Sequence, residues 1–153
     1  GTIPVIKHSI DWINKNIRQV DYACCIYATA PFIEIKYLKE GYEKLLATNS
    51  EYTFSVTSFT FPIERAIRIK KDNKIKMINP EKFNTRSQDL EETFHDAGQF
   101  YWGKTSAWME NKVIFEEHSS AILIPRFKVQ DIDTEEDWER AEKMFILLHP
   151  ELK

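Results

Sequence analysis

The sequence predicts an α/β domain, and three observations carry that expectation. Stretches with apolar residues at helical spacing alternate with short runs of β-forming residues. Hydrophobic residues make up 42% of the 153 positions, enough to bury one core. No repeat, low-complexity tract or linker interrupts the chain, so residues 1–153 read as a single domain.

The elements follow in order. Residues 2–16 read as a helix, with Thr2 as N-cap, Pro4 in the first turn, and Ile3, Ile6, Ile10 and Ile13 on one face. Residues 21–28 form a continuous apolar run too short for a buried helix, which suits a strand covered on both faces. Residues 34–47 repeat Ile35, Leu38, Tyr42, Leu45 and Leu46 as a second amphipathic helix. Residues 51–59 are rich in β-formers. Residues 66–70 and 74–78 alternate apolar and basic side chains around Lys71-Asp72-Asn73, a hairpin with one wet face. Residues 99–103 and 121–125 are short strand candidates, and residues 105–111 a short helix. Thr134 caps a closing helix over residues 135–148, with Glu135, Glu136 and Asp137 in its first turn. Its expected buried face is Trp138, Ala141, Phe145 and Leu148. The order opens on a helix, whereas a doubly wound sheet opens on a strand, so the layout resembles an α/β domain without its first units.

Charge and composition exclude several functions. Lys plus Arg is 21 and Asp plus Glu 24, a net charge of −3, which argues against a dedicated nucleic-acid or membrane-surface binder. No apolar run approaches the ~18 residues of a membrane span, and no signal-type segment opens the chain. Cys24 and Cys25 are adjacent, so in a strand they point to opposite faces and do not bridge. They read as small buried hydrophobes of a reducing, cytoplasmic protein. The four glycines are scattered (Gly1, Gly41, Gly98 and Gly103), so the chain has no glycine-rich loop to cradle a phosphate.

Three segments carry candidate chemistry. Asp131 and Asp133, two apart in an extended segment, present both carboxylates on one side. Such a pair suits Mg²⁺, which takes oxygen ligands and keeps waters for a phosphate substrate. The same acidic residues also suit the positive start of a helix. The segment 85–90 offers Arg86, whose planar guanidinium binds carboxylate or phosphate, beside Gln88 and hydroxyls. The alternative there is a solvated loop with a helix cap. In the segment 95–102, Gly98 suggests a bend or close backbone approach, and the aromatics suit either the wall of a sugar pocket or a bulged core strand. His8, His118 and His149 fit no nucleophile–base arrangement, and His95 reads as a structural or surface residue.

Taken together, these segments resemble the nonulosonate cytidylyltransferases, the enzymes related to CMP-sialic-acid synthetases. The likeness runs through residues 24–32 (Cys-Cys-Ile-Tyr-Ala-Thr-Ala-Pro-Phe), 86–90 (Arg-Ser-Gln-Asp-Leu), 96–102 (Asp-Ala-Gly-Gln-Phe-Tyr-Trp) and 130–134 (Gln-Asp-Ile-Asp-Thr), and covers nearly the whole chain. Sialate-type members read leucine-glutamine-proline-threonine-serine-proline at positions 26–31, where this chain has Tyr27, Ala28 and Ala30. Their asparagine-glycine before the aromatic strand is Asp96-Ala97-Gly98 here. Both departures fit the branch that takes pseudaminic acid.

The resemblance implies a three-layer, Rossmann-like nucleotide-diphospho-sugar-transferase sheet, truncated at its N-terminus, with residues 60–84 as a protruding hairpin arm that makes a homodimer. It implies CTP and a nonulosonic acid as substrates, with Asp131 and Asp133 as Mg²⁺ ligands and Arg86 as a catalytic cation. Tyr27, Thr29, Gln88, Asp96 and Gln99 would surround the sugar, with Tyr27 and Thr29 at the pocket floor. The family's alanine-arginine-x-glycine-serine loop for the CTP phosphates is absent. The chain is accordingly expected to be a C-terminal part of such an enzyme, short by roughly 60–80 residues or two supersecondary units, and inactive alone. Two rival readings are a sialic, legionaminic or 3-deoxy-octulosonic acid enzyme, and a non-catalytic dimerising or sugar-binding module.

Overall fold

The structure is a computed structural model and describes residues 1–152. Its main elements are α1 (Thr2–Asn16), β1 (Tyr22–Ile26), α2 (Ile35–Thr48), β2 (Tyr52–Ser58), β3 (Ile67–Ile69), β4 (Ile75–Met77), β5 (Phe94–Lys104), α3 (Thr105–Met109), β6 (Ser119–Leu123) and α4 (Glu135–Leu148). Four strands form one sheet in the order β1-β5-β2-β6. The strand β5 is antiparallel to both β1 and β2, and β2 is parallel to β6. The sheet is therefore mixed: β1, β2 and β6 run one way and β5 runs against them. The α/β expectation holds. Among the described residues no helix is long and apolar enough to cross a membrane.

Side-chain alternation gives each sheet face its own core. On one face, Ile6 and Ile10 of α1 and Ala107 and Trp108 of α3 pack on Tyr52, Phe54 and Tyr101. On the other, Tyr37 of α2 packs with Ala97, Phe100, Ile122 and Ile124. Gly103 lets α3 approach the sheet. A Cβ there would lie 2.5 Å from Trp108 Nε1 and 2.6 Å from Tyr52 Cδ1, distances no side chain tolerates.

Several local expectations are corrected. Gly1, not Thr2, is the N-cap of α1. Thr2 lies inside the helix, where its hydroxyl shares a hydrogen bond with the Tyr27 hydroxyl at 2.7 Å. The strand β1 is not covered on both faces. It is an edge strand, paired on one side only, and its residues are half-buried, with Ile26 exposed. Cys24 and Cys25 there are free and partly buried, and burial pushes the Cys24 thiol up to about 12, with the neighbouring Cys25 adding to it. In α2 the buried row is Tyr37, Gly41 and Leu45, while Ile35 and Leu46 face outward. Residues four apart stack on one face, and the sheet selects that row over its neighbour. In α4 the cap is as expected. The Asp137 N–H donates to the Thr134 hydroxyl at 3.2 Å, and the Thr134 N–H to Asp137 Oδ2 at 3.0 Å. These bonds, the Thr134 side chain first, hold the Asp137 carboxyl below its usual range. The apolar face is not as expected. Only Ala141 is buried, and Trp138 is 56% exposed, because α4 covers little of the sheet.

The hairpin forms where the alternation places it. The strands β3 and β4 pair antiparallel, Ile67 against Met77 and Ile69 against Ile75, as a separate two-stranded sheet. Asn73 takes the left-handed turn position at φ 61°. Ile69 and Ile75 are 72% and 67% exposed.

Candidate functional site at the bulge in β5

The strand β5 begins at Phe94, five residues before the expected start at Gln99, and the added stretch holds the irregularity that builds the site. Phe54 pairs with Tyr101, yet Val56 pairs with Asp96. Between those pairs stand Ser55 on β2 and residues 97–100 on β5. The excess is taken up by Gly98 at φ +62°, a left-handed conformation that favours glycine. A bulge strips ladder partners from backbone N–H groups. The buried Ser55 hydroxyl replaces them, accepting from Gln99 N–H at 3.2 Å and Phe100 N–H at 3.3 Å. Ser55→Ala should therefore lower stability by about 1–3 kcal/mol, the penalty of unpaired buried donors. Chemical denaturation measures it, and a loss under 0.5 kcal/mol would mean that the bulge holds itself.

The bulge aims a set of polar groups at the end of the sheet where β1 and β2 finish, the usual ligand edge of parallel strands. Asp96 Oδ1 accepts the Gly98 N–H at 2.9 Å, and its Oδ2 accepts the Tyr101 hydroxyl. Burial first, and the Asp96 carboxylate second, push the Tyr101 hydroxyl well above its ordinary range, so it stays a proton donor. The Tyr27 and Tyr101 rings lie 5.3 Å apart, and the Tyr27 N–H donates to the Gln99 carbonyl at 3.0 Å. Tyr27, Asp96 and Tyr101 line one cavity of about 410 Å³, closed on another side by Thr2 and Phe115.

Asp131 lies over the same bulge. A Cβ on Gly98 would be 3.7 Å from its Cγ and Oδ2. Its Oδ1 accepts the Ile132 N–H at 3.1 Å, which leaves Oδ2 open. Asp133 is exposed, and its N–H is tied to Asp137 at 3.3 Å. Among the described residues no three His, Cys, Asp or Glu side chains come together as a metal cluster. Two open carboxylates nonetheless match the donor set of Mg²⁺, which is often held by one or two carboxylates together with substrate phosphates.

The remaining expected residues are placed differently. Gln99 is 1% exposed; its Nε2–H donates to the Lys128 carbonyl at 2.6 Å, and its Oε1 has no protein partner. Thr29 is half-buried in the turn after Tyr27. Arg86 and Gln88 are exposed in the 3₁₀ turn Ser87–Asp89. Arg86 Nε–H donates to Asp89 Oδ2 at 2.8 Å, an ion pair within its own loop. The structure thus gathers Tyr27, Asp96 and Asp131 at one end of the sheet and does not bring Arg86 or Gln88 to them. Sequence reasoning missed Ser55, whose only signal was a small polar residue inside a β-rich run. It read the aromatics of residues 100–102 as a pocket wall or as a bulged core strand, and the structure shows the bulged core strand; nothing in the sequence signalled that the Tyr101 hydroxyl meets Asp96.

No family profile matches the chain. Curated relatives do. The chain is 39% identical over 145 residues to the pseudaminic acid cytidylyltransferase of Campylobacter jejuni serotype O:2, covering 95% of this chain and 62% of that protein. It is 38% identical over 144 residues to the pseudaminic acid cytidylyltransferase of C. jejuni serotype O:23/36, covering 94% and 62%. A Helicobacter pylori protein named as both a pseudaminic acid cytidylyltransferase and a UDP-2,4-diacetamido-2,4,6-trideoxy-β-L-altropyranose hydrolase is 35% identical over 132 residues, 86% of this chain and 25% of that one. The mixed α/β sheet and these relatives define the class: the chain is homologous to nucleotidyltransferases. More particularly, it is a homologue of the pseudaminic acid cytidylyltransferases over nearly all of its length. It spans about 62% of the length of the first two.

Proposed function

We propose that the full-length protein joins the CMP group of CTP to pseudaminic acid and releases pyrophosphate. The observation that carries this reading is the convergence of Tyr27, Asp96 and Asp131 on one bulged sheet end in a chain 39% identical to a pseudaminic acid cytidylyltransferase. The anomeric hydroxyl of the sugar acid attacks the α-phosphorus as its proton passes to solvent, and the bond from that phosphorus to the pyrophosphate oxygen breaks. Asp131 and Asp133 would hold Mg²⁺, which when bound offsets phosphate charge. Asp96, fixed by Gly98 and Tyr101, accepts a hydrogen bond from a sugar hydroxyl or amide, and the Tyr27 ring and Thr29 form the floor. Gln99 holds the bulge to the turn at Lys128. Arg86 leaves Asp89 to bind the sugar carboxylate or a phosphate, with Gln88 beside it. No glycine-rich loop occurs in these residues, so in this reading the CTP phosphates are held outside the region matched here. The sheet then forms the middle layer of a Rossmann-like, three-layer domain in a cytoplasmic enzyme.

Pyrophosphate release tests the reading. Full-length protein with CTP should turn over pseudaminic acid in preference to N-acetylneuraminic acid, and the 153-residue chain should release none. Absence of pseudaminic-acid-dependent release by the full-length protein would overturn it.

The hairpin serves association in this reading. Two isolated strands are marginal in water, yet β3 and β4 expose Ile67, Ile69 and Ile75. A symmetric homodimer in which each hairpin covers the other subunit buries them. Light scattering should show a dimer at micromolar concentration, and Ile69→Lys with Ile75→Lys should give a monomer. A wild-type monomer would refute this role.

A further inference from the structure

We propose a second ligand site, for a small molecule bearing a phosphate or carboxylate group, on the sheet face opposite the Tyr27–Asp96 cavity. It stands independently of the transferase reading.

Neighbouring strand residues point to opposite faces. Asp96 serves the first cavity, so His95 faces away from it. His95 pairs with Thr57, as Asp96 pairs with Val56. His95 and Thr57 line a separate cavity of about 440 Å³, together with Arg126, Arg140, Ser58 and Thr60. That volume lies within the ~300–1,000 Å³ range of small-molecule sites. Three separate parts of the chain converge there: the end of the β2–β5 pair, the 3₁₀ turn Arg126–Lys128 after β6, and α4.

The charge of the cavity selects the ligand. Arg126, Arg140 and His95 line it, and no Asp or Glu does. The chain carries 24 acidic residues, yet among the described residues none lies within ion-pair distance of Arg126 or Arg140. Two arginines on one cavity without an acidic partner leave positive charge uncompensated, and an oxyanion offsets it. The site is also partly built. Arg126 Nη1–H donates to the Phe59 carbonyl at 3.3 Å, which positions the guanidinium and leaves further donors free. The His95 ring is held by a hydrogen bond from Nδ1 to the Asp96 carbonyl at 2.8 Å and by Phe59, 4.8 Å between centroids. Ser58 and Thr60 hydroxyls make no other side-chain bond among the described residues and supply neutral donors. Phe127 and Met144 add an apolar wall for the organic part of the ligand.

The test titrates inorganic phosphate, and separately gluconate, into the chain with ¹⁵N-labelled arginine at constant ionic strength set by sodium chloride. The Nε–H signals of Arg126 and Arg140 should shift together and saturate. Arg140→Gln, on an exposed helix position, and Arg126→Gln should each weaken binding by roughly tenfold or more, the scale of a lost charge-assisted bond. Arg68→Gln, on the hairpin, should leave it unchanged. Saturation by phosphate alone assigns a phosphate ligand, by gluconate alone a carboxylate ligand, and by both a general oxyanion site. A linear response matching chloride, or unchanged affinity in Arg140→Gln, overturns the proposal.

Discussion

Asp133→Asn in the full-length protein should lower turnover by at least ~100-fold, the scale of losing one charged transition-state stabiliser. Asp131→Asn should behave alike. The reason lies in what the carboxylates do not do in the fold. Asp131 Oδ2 accepts no hydrogen bond from the described residues, and Asp133 contributes its backbone N–H, not its carboxylate, to the start of α4. The amide keeps the shape and removes an anionic ligand, so the effect should fall on rate and Mg²⁺ dependence and leave the unfolding midpoint in place. Near-normal rates for both variants at limiting Mg²⁺ would reduce the pair to a favourable charge at the α4 N-terminus.

Trp108→Ala should remove about 3–5 kcal/mol of stability. Trp108 is fully buried, packs edge-on against Tyr52 with 4.7 Å between centroids, and donates its indole N–H to the Ala23 carbonyl at 3.3 Å. It thereby ties α3 to β1 and β2 across the backbone of Gly103, which a side chain there would block. At ~2–4 °C per kcal/mol for a domain near this size, calorimetry should record a fall of several degrees in Tm. A fall within experimental scatter would show that Trp108 is not a keystone of this face. Trp108→Phe, which keeps part of the ring volume and loses the hydrogen bond, should lie between the two.

Parts of the candidate site were legible and parts were not, for identifiable reasons. Asp131 and Asp133 stood out because a two-residue spacing before a capped helix is a local pattern. Gly98 stood out because glycine is rare in this chain. The Asp96–Tyr101 contact was hidden: five residues apart in a regular strand, the two side chains point to opposite faces, and only the bulge turns them toward one another. Arg86 read either as a substrate cation or as part of a solvated loop; the structure shows it exposed beside a turn, paired with Asp89 three residues along. The cavity beside Arg126 and Arg140 had no sequence signature, because its walls come from positions 57–60, 95, 126–130 and 140–144.

The sequence by itself determined the order of helices and strands, the capped start of α4, the lone hairpin and the scatter of glycines that makes no phosphate loop within these residues. Each of these rests on interactions within a few residues: a helical or two-residue period, a Thr134–Asp137 cap, a turn at Asn73, or the presence or absence of glycines. The tertiary structure decided that β5 runs through the middle of the sheet against three parallel strands, that β1 is an edge, and which row of α2 is buried. It also decided what completes the bulge that Gly98 suggested, since the hydroxyl that replaces the lost ladder bonds belongs to Ser55, 44 residues before Gln99. Pairing between distant segments sets register and fills broken hydrogen bonds, and no local periodicity records which distant residue will do so.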